Sequence, residues 1–507
     1  MKKTASLILS FFLVLCVQGQ PNFKKTRQYI EKARSDWGVP GLAVAIVKDG
    51  EVVFSEGFGR LKYGSKQNVD GDTQFAIASN TKAFVASALA TLVAKGEISW
   101  DDKVTRYLPY FKLYDAYTSS EITVRDLLCH RAGLGTFSGD VIWYKSDFTA
   151  EEVIKRIQYV PQAYSFRAGY GYSNLMFITA GEVIRAVTGK SWADYIDETF
   201  IQPLQMNRTI TSVHQLKGYD NVATPHKPIA DKNKPIAWVD WDNMGAAGGI
   251  ISSVNDMANW IRMNLDRGIW RGDTILAQEQ QNILWTPHNN FVLNDRSRTE
   301  IPGRHFTGYG LGWGLYDYFG RMVVTHSGGY DGMYSRITMI PDEGLGIVVL
   351  TNSMSGITFP LTMKLINDQI GEDKRDWSQE FLNRPSGGKD AIKERKASRI
   401  LNTKPSLPID KYTGTYDAPM HGDISIKEEN GQLKLYFDRA PLLSATLAHW
   451  HNDTWEIVWD ETHAWFDFGT VQFELDHNAN VTGMEIDVPN YDIFFHEIEI
   501  TKRNSGE

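Results

Sequence analysis

The segment that most constrains this chain runs from Ala83 to Ala94. Ala83, Phe84, Val85, Ala86, Ala88, Leu89, Ala90, Leu92, Val93 and Ala94 leave it almost no polar face. A helix that is apolar all round is a central, buried one, and this run is too short to span a membrane. Lys95-Gly96 supplies a C-terminal stop. Ser79-Asn80-Thr81-Lys82 opens the segment. A serine and a lysine three apart share one helix face, a turn from each other, which sets an amine beside a hydroxyl at the edge of the buried region. Burial disfavours a charged lysine, so it can take a proton at neutral pH. A serine hydroxyl is a weak nucleophile until a neighbour does this. The helix N-terminus adds free N–H groups where negative charge develops. An N-cap serine followed by a surface lysine is the bland alternative, and the apolar run argues against it.

Two further motifs lie downstream. Phe166-Arg167-Ala168-Gly169-Tyr170-Gly171 leads into Tyr172-Ser173-Asn174. The glycines suit a tight turn, and an extended stretch after it would present Tyr172 and Asn174 on one side. A phenol relays protons; an amide holds a carbonyl or orients the lysine. Taken alone, Tyr-Ser-Asn is an ordinary loop. His326-Ser327-Gly328-Gly329 follows the β-branched run Met322-Val323-Val324-Thr325. A strand edge ending in small residues lets a substrate backbone pair with it. His326 would bind a substrate carboxylate or tune Lys82 and Tyr172; its bland reading is a solvent-facing turn histidine.

In this order, S-x-x-K, Y-x-N and a basic residue before a small residue and glycine, the three motifs resemble the serine β-lactamase and penicillin-binding-protein superfamily, in its class C and esterase-like branch. Ile122-Thr123-Val124-Arg125-Asp126-Leu127-Leu128, His130, Gly133-Leu134, Ala246-Ala247-Gly248-Gly249, Tyr309-Gly310-Leu311-Gly312-Trp313 and Leu350-Thr351-Asn352 agree with it, so that the likeness spans about Phe23 to Ile370. The resemblance implies that Ser79 is the nucleophile and Lys82 its general base. It gives Tyr172 a share in proton transfer and Asn174 the substrate amide. It assigns substrate binding to His326, Ser327 and Gly328 and the oxyanion hole to the N–H groups of Ser79 and Gly329. His326 departs from the lysine of a K-T-G motif. A histidine is mostly neutral at pH 7, which disfavours efficient β-lactam hydrolysis.

The expected architecture is α+β. Strands Gly41 to Val47 and Glu51 to Gly59, joined at Asp49-Gly50, share an antiparallel sheet with Arg321 to Thr325, Tyr334 to Ile340 and Gly346 to Thr351. Helices over Phe23 to Trp37 and Phe359 to Ile370 flank the sheet, and a helical region is inserted between early and late strands. Residues 1–19 read as a signal peptide: Lys2-Lys3, then an apolar run from Leu7 to Val17, then Gly19. This implies export to the periplasm or the outside, with lipid anchoring at Cys16 ranked second. Removal of the signal leaves Cys129 as a small buried residue and no transmembrane span in the mature chain. The hydrolase domain is expected over 20–383, a polar linker over 384–405, and a lipocalin-like all-β barrel over 406–507. The barrel reading rests on Tyr412-Thr413-Gly414-Thr415-Tyr416 and strand-like runs at Ile424 to Ile426, Leu433 to Phe437, Trp455 to Trp459 and Val471 to Leu475. Trp450, Trp455, Trp459 and Trp465 read as barrel core ahead of a ligand pocket.

A composition with 42% apolar residues, a net charge of -8 and no basic patch excludes a nucleic-acid partner. No metal-ligand spacing appears and the proposed chemistry needs no cofactor. The leading expectation is an exported serine hydrolase acting on a small molecule or peptide through an acyl-enzyme on Ser79, with D-residue peptides as plausible substrates. A β-lactam-acylated sensor without efficient turnover and a class C-like β-lactamase are the rivals. Substrate and oligomeric state are not legible.

Overall fold

The computed structural model describes residues 23–229, 232–384 and 388–503; the expected signal peptide at 1–19 lies outside them. Strands β1 (Gly41–Lys48) and β2 (Glu51–Gly59) form a hairpin across Asp49 (φ 52°) and Gly50 (φ 82°). Two successive left-handed residues are what a two-residue hairpin needs to match strand twist. Far along the chain come β3 (Asn289–Asn290), β4 (Thr307–Tyr309), β5 (Gly314–Tyr318), β6 (Arg321–Tyr330), β7 (Met333–Ile340) and β8 (Leu345–Thr351). They join the hairpin in one sheet of order β2-β1-β8-β7-β6-β5-β4-β3, antiparallel throughout.

β1 and β8 are nearly uninterrupted apolar runs because both faces of the sheet are covered. Ala43, Ala45 and Val47 belong to a core shared with the inserted helices; Leu42, Val44 and Ile46 belong to one under the terminal helices. Those are α1 (Lys24–Asp36), before the sheet, and a C-terminal helix over Thr358–Ile370. On the other face lie α2 (Thr81–Ala94), α3 (Asn174–Thr188) and α4 (Val254–Leu265); the C-terminal helix is α5. Every residue of α2 from Thr81 to Leu92 is buried, and Phe84 stacks on Trp260 of α4 at 3.8 Å between ring centroids. Cys129 is buried and free, and burial pushes its thiol up to about 12. Among the described residues no helix is long and apolar enough to cross a membrane.

Beyond the sheet, a helix over Gly388–Ala397 occupies the polar stretch read as a linker. Arg399 then donates to His449 O and Trp450 O, tying the stretch to the C-terminal domain. This domain is a closed eight-stranded barrel: β9 (Gly414–Asp417), β10 (Ile424–Glu429), β11 (Gln432–Phe437), β12 (Ser444–His451), β13 (Thr454–Trp459), β14 (Thr470–Leu475), β15 (Val481–Asp487) and β16 (Thr501–Lys502). The sequence pattern reveals four of these strands.

The barrel is docked on the sheet-and-helix portion that precedes it, and one apolar core runs through both. Glu497 accepts from Ser138 Oγ at 2.5 Å and Gly139 N at 2.7 Å. Arg439 reaches Asp147 and Glu152. Lys227, buried, donates to His463 O, Phe466 O and Asp467. Truncating it leaves two buried carbonyls without a donor. Lys227→Ala is expected to destabilise the chain by about 1–3 kcal/mol, read as a lower urea midpoint.

Candidate active site

Ser79 sits in a single tight turn, Ala78–Asn80, directly before α2. Ala78 is held at φ 48°, a conformation that costs an alanine energy and persists only where its surroundings fix it. The turn is fixed from both sides. Ile77 N donates to Ile250 O at 3.0 Å, and Asn80 Nδ2 donates to Ser335 Oγ of β7 at 2.8 Å. Strand β6 also presses against it: a Cβ on Gly328 would stand 2.2 Å from Ile77 O. Gly328 is therefore what lets the strand approach the serine.

Lys82 is wholly buried. Its Nζ lies 2.7 Å from Asn174 Oδ1, 2.8 Å from Ala247 O and 3.1 Å from Ser79 Oγ. The first two are acceptors only, so each takes an N–H. The third position faces a hydroxyl that can donate as well as accept. Burial lowers the lysine to about 7, opposed by the Asp140 carboxyl. Near neutrality a large share of Lys82 is thus a free amine whose lone pair points at Ser79.

Asn174 is the first residue of α3 rather than the end of an extended stretch. Ser173, extended at ψ 118°, holds the N-cap position without a side-chain cap hydrogen bond, so Tyr172 and Asn174 approach Lys82 from where a loop enters the helix. His130 anchors that junction by accepting from Ser173 N through Nδ1 at 3.0 Å. Tyr172 lines the cleft with Ser79, and its ring lies 4.8 Å from Lys82 Nζ. Burial pushes the phenol well above 10, so it keeps its proton at pH 7 and can donate but not abstract. Asn174 Nδ2 donates to Asp140 Oδ2 at 2.6 Å, while Trp143 Nε1 donates to Asp140 Oδ1 at 2.9 Å. Burial raises Asp140 to about 8. Asp140 belongs to no motif, and nothing in the sequence marked it.

His326, on β6, is buried, and desolvation followed by the nearby Lys82 charge lowers it to about 3. Its Nδ1 is 2.7 Å from Ser327 O, an acceptor, and its Nε2 is 2.8 Å from Tyr309 OH. Nδ1 therefore carries the hydrogen and Nε2 accepts from the phenol: a neutral imidazole with both nitrogens engaged. β5 pairs with β6 only as far as Thr325, opposite Gly314. From His326 onward that edge is open. β6 and β7 are joined through Tyr330 and Met333 by a two-residue hairpin; by the alternation of such ladders the Ser327 and Gly329 N–H groups face the open edge.

These groups line a cleft of about 580 Å³ that holds Ser79, Tyr172, Asn174, His326, Ser327 and Gly329. Other residues of the cleft were not assigned to it from the sequence. Arg336 of β7 has an unpartnered buried Nε and, among the described residues, no carboxylate; Nη1 donates to Thr325 Oγ1 at 3.3 Å. The barrel supplies Trp465 and the neighbouring pair Asp492 and Ile493. Trp465 is thus a cleft residue rather than barrel core, whereas Trp450 and Trp455 are buried.

The profile of the family described as Beta-lactamase matches residues 26–369, and a domain of unknown function, DUF3471, matches 398–502. The unguisins hydrolase of Aspergillus campestris is 28% identical over 451 residues, covering 83% of this chain and 80% of that protein. The octameric penicillin-binding protein homologue of Pyrococcus abyssi superposes with a TM-score of 0.62 at 21% identity, covering 95% of this chain and 100% of that one. The D-amino acid amidase of Ochrobactrum anthropi gives 0.55 at 24% identity, over 74% of this chain and 100% of the other.

If Lys82 must be neutral to act, kcat/KM for an activated ester should rise from acid pH with a midpoint near 7, set by Lys82. The protonated amine below that point cannot accept from Ser79, so the sign is a loss on acidification. A pH–rate profile checks this; Lys82→Met should lower kcat/KM by about 10³-fold or more.

Proposed function

The chain belongs to the β-lactamase family, and on that premise we propose that it is an exported serine hydrolase that opens an amide or ester bond through an acyl-enzyme on Ser79. The observation that carries the reading is the desolvated Lys82 amine 3.1 Å from Ser79 Oγ, with its other two contacts spent on acceptors. Lys82 takes the Ser79 proton as Oγ adds to the substrate carbonyl. The oxyanion is met by the N–H groups of Ser79 and Gly329, a contribution of about 3–4 kcal/mol per donor in comparable sites. Tyr172, protonated and beside both groups, gives its proton to the leaving amine or alkoxide and regains one from Lys82. Water then repeats the sequence in reverse on the acyl-enzyme.

The open edge of β6 from His326 to Gly329 suits a peptide backbone laid alongside as an extra strand. His326 is a poor receptor for a carboxylate, being neutral and bonded at both nitrogens; its fit is to hold the edge and Tyr309 in place. This disfavours the β-lactamase reading, whose substrates bring a permanent carboxylate. Peptides with D-residues remain the substrate class that the family resemblance suggests. Export rests on Lys2-Lys3 and the apolar run from Leu7 to Val17.

Intact-mass spectrometry with turnover assays tests this directly. The protein is expected to hydrolyse a nitrophenyl ester or a D-alanyl peptide, and Ser79→Ala to lose both turnover and any acyl adduct. A lasting adduct with penicillin and no turnover on any of the three would favour a sensor instead.

A further inference from the structure

Asn174 stands between an amine and a carboxyl group. Its Oδ1 takes an N–H of Lys82 at 2.7 Å, while its Nδ2 donates to Asp140 Oδ2 at 2.6 Å. A side-chain amide has an acceptor end and a donor end, so the Asp140 contact decides which end meets Lys82. Turned by half a rotation, the amide would set its NH2 group against the amine. Lys82 would then lose one of the two acceptors that aim it.

Asp140 is itself held in place. Trp143 Nε1 donates to its Oδ1 at 2.9 Å, and Asp140 N donates to Phe137 O at 3.1 Å. Phe137 N donates in turn to Tyr172 O at 2.8 Å, which ties the loop that carries the carboxyl to the loop that carries the phenol. A Cβ on Gly139 would stand 2.6 Å from Val160 Cγ2 and 2.7 Å from Leu175 Cδ1. The missing side chain lets the Asp140 loop reach the first turn of α3.

Both groups that reach the Asp140 oxygens are donors only, an arrangement that fits a carboxylate. Burial opposes this charge, and the two donors and the Lys82 ammonium favour it. The ionisable groups within electrostatic reach are Tyr172, His130 and His326 around Lys82, and Tyr172 and Asp492 around Asp140. Burial keeps the phenol protonated and both imidazoles neutral. Asp140 is the anion that acts on Lys82 itself. A carboxylate at the donor end of an amide polarises it and makes its oxygen a stronger acceptor.

We infer that Asp140 is a positioning residue for the base: through the Asn174 amide it keeps Lys82 aimed at Ser79, and it compensates the ammonium formed when Lys82 takes the serine proton. The proton passes from Ser79 Oγ to Lys82 Nζ; Asp140 takes none and keeps its two N–H donors. The inference rests on the hydrolase reading of Ser79 and adds to it a third group behind the nucleophile and its base.

The test follows kcat/KM for p-nitrophenyl acetate against pH in the full chain, in the wild type, Asp140→Asn, Asn174→Ala and the double variant. An asparagine at 140 keeps the shape of the side chain, accepts from only one of the two donors and carries no charge. Asp140→Asn is expected to lower the plateau about tenfold to a hundredfold. It should also move the acid midpoint down by about one unit, because protonated Lys82 has lost its compensating charge. Once Asn174 is alanine, the plateau loss from Asp140→Asn should largely vanish, since the two residues act as a unit. Equal plateau losses in both backgrounds, or a midpoint that does not move, would overturn the inference and leave Asp140 a packing role. If circular dichroism shows that Asp140→Asn does not fold, Asp140→Glu takes its place. It retains the charge, so its midpoint should hold while its plateau loss again depends on Asn174; a loss independent of Asn174 contradicts the inference. If the wild type does not turn over the ester, the Ser79 reading fails on its own. Asp140 is then judged by carbon-13 NMR titration of Lys82: a lower midpoint in Asp140→Asn supports the inference, and an unchanged one contradicts it.

Discussion

Taking the Lys82 ammonium out of water is the constraint on which the rest of this structure depends. An unpaired buried charge of this kind costs several kcal/mol, and the chain answers in the way such groups usually do, by making the neutral form accessible. To desolvate one side chain so fully, α2 is packed against α3, against the short helices Trp192–Ile196, Gly245–Gly248 and Gln278–Leu284, and against Trp260 of α4. To keep the amine aimed, two acceptors from different elements, Asn174 and Ala247, fix its position. The strained turn at Ala78 and the absence of a side chain at Gly328 then bring the serine and the open strand edge to the same point.

The parts of this arrangement that were legible in the sequence are those set by local rules. A serine and a lysine three apart on an all-apolar helix, two left-handed residues at Asp49-Gly50, and β-branched runs either side of a hairpin each announce their own geometry. Tyr172 and Asn174 were legible as residues but not as a conformation, because the helix that begins at Asn174 is fixed by the Ser173 and His130 contact, which no local pattern reveals. Asp140 and Arg336 were not legible at all. Their significance comes from long-range neighbours: Asn174 in one case, and in the other the lack, among the described residues, of a carboxylate partner, which a sequence cannot display.

The barrel shows the same division. Strands with clear alternation, such as β11, stand out, while β12 carries Ser, Thr and His on its less buried positions and β16 is two residues long. The aromatic richness of this domain has two causes that composition does not separate. Trp450 and Trp455 fill space; Trp465 leaves the barrel to meet Gly329. A domain that packs into a shared core and also reaches the nucleophile couples the stability of the interface to the shape of the cleft.

The central claim is that Lys82 is a neutral amine at working pH, and its titration is the measurement that tests it most directly. Carbon-13 NMR of protein labelled at lysine Cε, with the Lys82 signal assigned by its absence in Lys82→Arg, reports the charge state without any substrate. The account predicts a Lys82 resonance that titrates with a midpoint near 7, far below an ordinary lysine. A Lys82 signal that stays protonated to about pH 10, as an ordinary lysine does, would contradict it, and the base for Ser79 would have to be sought elsewhere.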